Sequence, residues 1–105
     1  MSQEQEDRLF WDYLESVRRL ELPTPNEERA LLEHARTGDT DARARVIEGS
    51  LELAALLAWK LRPDGWRAAD AVQEANLLLI SLVDDPAIDN PALRLADAIN
   101  GFFRG

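Results

Sequence analysis

No stretch of this sequence alternates apolar and polar residues with a period of two, whereas apolar positions recur every three or four residues over most of it. That pattern points to helices, and no sheet is expected. In EDRLFWDYLESVRRL, Leu9, Tyr13, Val17 and Leu20 form one stripe, with Phe10 and Leu14 beside it. ELPTP then breaks the chain and starts a second helix. Thr24 caps it, Pro25 suits its first position, and Glu27 completes a capping box. This helix carries Ala30, Leu31 and Ala35 and stops at Gly38. Asp39 or Thr40 caps a third, longer helix, in which Val46, Ile47, Leu51, Ala54, Leu57, Ala58 and Leu61 follow one broad face until RPDGW. The fourth helix runs through DAVQEANLLLISLV and stops at DDP. Asn90 and Pro91 open a last helix, with Leu95, Ile99 and Phe102 turned inward. The expected fold is all-α, a single compact domain over residues 1–105 with about five helices. Leu57, Val72, Leu79, Leu82 and Ile99, on the converging apolar stripes, form its core.

Composition narrows the function classes. A chain of 105 residues supports one domain and buries enough surface to need no staples. Cysteine is absent, which excludes disulfides and thiolate chemistry, and a single histidine excludes a histidine-rich metal site. No metal or cofactor is expected, and no acid-base or nucleophile constellation points to an enzyme. The net charge of −8 disfavours anionic membranes and nucleic acid binding by the chain alone, and it suits a basic protein partner. No run approaches the roughly 20 apolar residues of a membrane span. MSQEQEDRL does not read as a signal peptide, so a cytoplasmic location is expected.

The fourth helix carries an oddity. Gln73, Glu74 and Asn76 stand just before its most apolar turn. At about 100° per residue, Gln73, Asn76, Leu77 and Ile80 share one arc, with Glu74 flanking it. Val72, Ala75, Leu79 and Leu82 share the other, wholly apolar arc. Amides bond a partner without the desolvation cost of a charge, while aliphatics supply buried area. Spacing alone also admits an ordinary solvated face with two stray aliphatics.

Order and spacing add a family. DAVQEANLLLI resembles the core-polymerase-binding helix of bacterial sigma factors of the sigma-70 family, whose pattern reads approximately Asp-Leu-Ile-Gln-Glu-Gly-Asn-Ile-Gly-Leu-Met. Asp70, Gln73, Glu74 and Asn76 match by identity, and Ile80 stands at the methionine position. Upstream, Tyr13, Leu14, Leu22, Pro25, Glu27, Glu28, Gly38, Asp39, Ala42 and Arg43 match the family's tyrosine-leucine helix, its Leu-Thr-Pro-Glu-Glu turn and its Gly-Asp-x-x-Ala-Arg helix start. The resemblance runs from Asp12 to Pro86 and implies a fold like the second domain of sigma factors. It implies docking on a coiled coil of the beta-prime subunit of core RNA polymerase, with Gln73, Glu74, Asn76, Leu77 and Ile80 as the partner-binding residues. Ala75 and Leu78 depart from it, standing where the family has glycine.

The segment after Pro86 departs further. Sigma factors follow this helix with one rich in aromatic and basic residues, which opens promoter DNA. Here Arg94, Arg104, Phe102 and Phe103 are what remains, and Ala98 and Ile99 fall about where the family has paired tryptophans. Phe102 and Phe103 read more simply as core and helix-end residues. The domain that reads the upstream promoter element has no counterpart. The resemblance therefore implies the polymerase-docking part of a sigma factor, acting as a partial sigma, as a co-sigma beside a second sigma subunit, or as a competitor. DNA would be met only within a polymerase complex. The alternative is an all-helical interaction module that kept the fold and changed partner.

The remaining candidates read as structure. Trp11 and Trp59 are packing residues, and Trp66 covers the turn between the third and fourth helices. His34 complements the end of the second helix, Asp84 and Asp85 are solvated charges at a helix stop, and Arg36, Arg43 and Arg45 form a solvated face or pair with the acidic N-terminus.

Overall fold

A computed structural model describes residues 2–18 and 20–105, and among them every regular element is a helix. The helices are α1 (Gln3–Arg18), α2 (Pro25–Arg36), α3 (Thr40–Glu48), α4 (Leu51–Leu61), α5 (Ala68–Asp84) and α6 (Pro91–Arg104). The starts and stops follow local chemistry. The Thr24 hydroxyl accepts from the Glu27 amide at 3.2 Å and the Glu27 carboxylate accepts from the Thr24 amide at 3.3 Å, the reciprocal capping box. Asp39 caps α3 through the Ala42 amide and Asn90 caps α6 through the Leu93 amide. Gly38 takes φ +102° after α2, a left-handed turn that a side chain would strain.

The centre is built on small residues. Ala54, Ala55 and Ala58 of α4 and Ala68, Ala71 and Ala75 of α5 are all buried in one cluster, and side chains this short let two helices approach closely. Leu79, Val83, Leu95, Ile99 and Leu14 fill the space around them. α6 packs on both α4 and α5, α1 lies against the same pair, and α2 pairs with α3, which reaches α5. Phe10 of α1 stacks on Trp59 of α4 with centroids 4.4 Å apart, and the Arg62 guanidinium sits 4.0 Å over the Trp59 ring.

Several expectations are corrected. The third helix is two, so the count is six, because the chain turns at Gly49–Ser50. Gly49 abuts Pro23, where an added Cβ would lie 3.3 Å from the proline Cδ, and Ser50 is buried beneath the break. The core stripe of α1 is Phe10, Leu14 and Val17; Leu9 is 54% exposed, and Tyr13 and Leu20 are only partly buried. In α2 the buried residue is Leu32, while Leu31 and Ala35 are partly buried and Ala30 is exposed. Leu57 and Leu82 flank the core instead of filling it; Val72, Leu79 and Ile99 are buried as expected.

The arginines are corrected as well. Arg36 donates to the carbonyl oxygens of Val83, Asp85 and Ile88, so α2 ties down the C-terminus of α5 and the turn beyond it. A cation at that end also meets the negative pole of the helix. Arg43 forms a two-pronged pair with Asp84 at 2.8 and 2.9 Å. Its hydrogen bond holds the Asp84 carboxyl below the usual carboxylate range. Arg45 is the one of the three that stays solvent-exposed without an α5 contact. Arg36→Ala is expected to lower stability by roughly 1–2 kcal/mol, since it strands carbonyls at a helix end. Arg36→Lys should recover only part of this, because one ammonium cannot span three acceptors. Urea unfolding of the two variants checks both statements.

Candidate protein-docking surface

α5 has a core face of Ala68, Ala71, Val72, Ala75, Leu79 and Val83. On the rest of its circumference Gln73 and Leu77 are exposed, Leu77 by 52%, while Glu74, Asn76 and Ile80 are partly buried. The five sequence-derived residues therefore lie off the core face, but not all equally far from it. Asn76 stands only about 40° around the helix from Val72, on the shoulder toward α1. There its Nδ2 donates to the Tyr13 hydroxyl at 3.3 Å, and its Oδ1 is buried with no donor among the described residues. Asn76 thus makes a contact within the domain as well as sharing the arc. Ala75 and Leu78, the two departures from glycine, both turn inward: Ala75 is fully buried and Leu78 packs against the core cluster.

Beside this arc the structure opens a groove that the sequence reading missed. It lies between α1 and α5 and encloses about 490 Å³. Leu9 and Tyr13 form one wall, Val72, Gln73 and Leu77 the other, and Asn76 lies where they meet. Arg67 closes one end, its guanidinium 3.5 Å from the Glu6 carboxylate. One signal was present in the sequence. Leu9 and Tyr13 run beside Phe10, Leu14 and Val17, an apolar face wider than one core contact requires.

The only charged residues among those described that line the groove are Glu6 and Arg67, which pair with each other, although the two helices as a whole are acidic. α1 carries five carboxylates and two arginines, and α5 carries three carboxylates and no basic residue. Among the described residues, no cluster of three or more histidine or acidic side chains is placed to hold a metal ion.

The far end of the molecule carries the other residues singled out in the sequence. Trp66 packs edge-on against Phe102 and Phe103, with centroids 6.2 and 5.1 Å away, so it covers the last helix rather than only the turn beside it. Phe102 is 44% exposed, which corrects its inward placement. Ile99 is in the core and Ala98 is partly buried. Trp11 is partly exposed beside Trp59, and His34 is exposed near the end of α2.

The fold is an all-α domain in which α5 presents a mixed polar and apolar side away from its buried face. No family model matches the chain. Over 72 residues, 69% of its length, it is 33% identical to the RNA polymerase sigma factor SigA of Listeria monocytogenes. The figures are the same for the RNA polymerase sigma factor SigA of Listeria innocua and for that of Clostridium acetobutylicum: 33% identity over 72 residues. The chain spans 19% of the length of each of these relatives. It thus carries a region similar to part of a sigma factor. No helix among the described residues is long and apolar enough to cross a membrane.

Proposed function

We propose that this chain is a sigma-like transcription protein that docks on core RNA polymerase through the exposed side of α5, on the coiled coil of the beta-prime subunit. The observation that carries this reading is on α5 itself. Gln73, Glu74, Leu77 and Ile80 line a side distinct from its buried face, in the order the sigma-70 helix uses. Ala75 and Leu78 add their bulk to the interior of the domain, so they leave that side clear. The role is that of a partial sigma, a co-sigma or a competitor for the docking site.

The test is binding of the purified chain to purified core polymerase, with Gln73→Ala as the first variant. Gln73→Ala should weaken binding by roughly 1–2 kcal/mol by stranding a partner group in a desolvated contact. If the wild-type chain does not bind core polymerase, the docking reading is wrong and an adaptor for another partner replaces it. DNA binding gives a separate check. The acidic surface and the scarcity of basic residues after Pro86 predict no measurable binding of promoter DNA by the chain alone at physiological salt. Micromolar binding with a steep salt dependence would contradict this.

A further inference from the structure

We propose that the α2–α3 hairpin is a flap, hinged where Pro23 meets Gly49 and latched by Arg36 and Arg43, that opens as one unit while α1, α4, α5 and α6 stay packed. The proposal does not depend on polymerase being the partner.

Both ends of the hairpin join the rest of the domain at one place. The segment before α2 and the break after α3 touch there, since a Cβ at Gly49 would lie 3.3 Å from the Pro23 Cδ. The residues between can therefore leave the body without parting the segments that carry them. The latch is at the other end. Arg36 closes α2 and Arg43 stands near the start of α3, on either side of the left-handed turn at Gly38. Both reach the C-terminal end of α5. Arg36 donates to the Val83, Asp85 and Ile88 carbonyls, the Asp85 bond measuring 2.7 Å, and Arg43 pairs with Asp84. Arg36 carries most of the latch, because the Arg43–Asp84 pair is exposed on both sides.

Between hinge and latch the packing is thin. The buried residues of the hairpin are Leu32, Ala42 and Val46, each still 4–8% exposed, whereas Ala54, Ala55, Ala58, Ala71, Ala75 and Leu79 of α4 and α5 are at 0%. α2 and α3 pack mainly on each other, and α3 is the one that meets α5. Against the start of α6 a cavity of about 270 Å³ remains, with Leu32 and Val46 on one side and Asn90 and Pro91 on the other. Atoms that face a void have no neighbours there, so closure gains little dispersion energy across this contact. A segment with few buried apolar contacts, held by polar bonds at its edge, opens at lower cost than the core. Once detached, helices as short as α2 and α3 unravel in water, so their amides report the opening.

Amide hydrogen exchange of the whole chain, measured in water and in low urea, tests this. The amides of α2 and α3 should exchange as one group, at least about tenfold faster than those of α4 and the buried face of α5. Their exchange should respond to urea less steeply, because opening a flap uncovers less surface than unfolding the domain. Arg36→Ala should quicken exchange in α2 and α3 at least about fivefold and keep that shallow response. Arg43→Glu should quicken it about threefold, and adding Asp84→Arg should restore it by re-forming the pair with its charges exchanged. Arg43 and Asp84 lie at the surface, so the exchanged pair spares the core, and circular dichroism verifies all the variants. Three results overturn the proposal: protection and urea response in α2 and α3 equal to those of α4 and α5, unequal exchange in α2 and α3, or an exchanged pair that fails to restore. Polymerase is absent from the experiment, so failure of the docking reading leaves its outcome unchanged.

Discussion

Leu79→Ala is expected to destabilise the domain by roughly 2–5 kcal/mol. Leu79 is 0% exposed and lies in the cluster that joins α1, α4, α5 and α6. Truncation removes three carbons' worth of transfer free energy and leaves a cavity that the surrounding alanines cannot fill, since alanine has no rotamer with which to move inward. The control is two residues away. Leu77→Ala, at a position 52% exposed, should cost well under about 1 kcal/mol. Urea midpoints of the two variants, compared at unchanged slope, decide the matter. Equal losses would mean that the core face of α5 is misplaced.

Glu74→Lys should impair polymerase binding more than any other single change on α5, by about 2–3 kcal/mol, or roughly 30- to 150-fold. The reversal replaces attraction to a basic partner with repulsion, and a charge at the edge of a contact is less screened than one in open solvent. It should leave the fold intact, because Glu74 makes no hydrogen bond or ion pair that the core depends on and its side of α5 is not the buried one. Asn76→Ala is the instructive comparison. It removes the bond to Tyr13 and also the buried, unsatisfied Oδ1, so the two stability effects offset and the net change should stay within about 1 kcal/mol. Affinity and urea midpoint measured on the same preparations separate the roles. Wild-type affinity in Glu74→Lys would remove Glu74 from the interface.

The helix boundaries were legible because they are local. Thr24 with Glu27, Asp39, Asn90 with Pro91, and Asp85 with Pro86 act on amides a few residues away, so their chemistry is complete in the sequence. The apolar face of α5 was legible for a related reason. Val72, Ala75 and Leu79 follow from their spacing and are buried, while Leu82 flanks the core and the structure adds Ala71 and Val83 to the same face.

Other features depended on what lies across the interface. In α1 two adjacent stripes have helical spacing, and only the position of α4 and α5 selects Phe10, Leu14 and Val17 over Leu9 and Tyr13. The break at Gly49–Ser50 places Pro23 against Gly49, a contact between residues 26 apart in the chain. Arg36 looks like any exposed arginine until α2 brings it to the end of α5, 47 residues away. The groove is the clearest case, because neither helix encodes it alone. By itself the sequence determined an all-α chain, its capped helix ends, and an α5 with one buried face and one mixed face, since each follows from spacing and local hydrogen bonding. The tertiary structure decided which stripe of α1 is core, which arginines brace α5, and that a largely apolar groove opens between α1 and the mixed face of α5. These depend on distances between segments far apart in the chain, which no local pattern records.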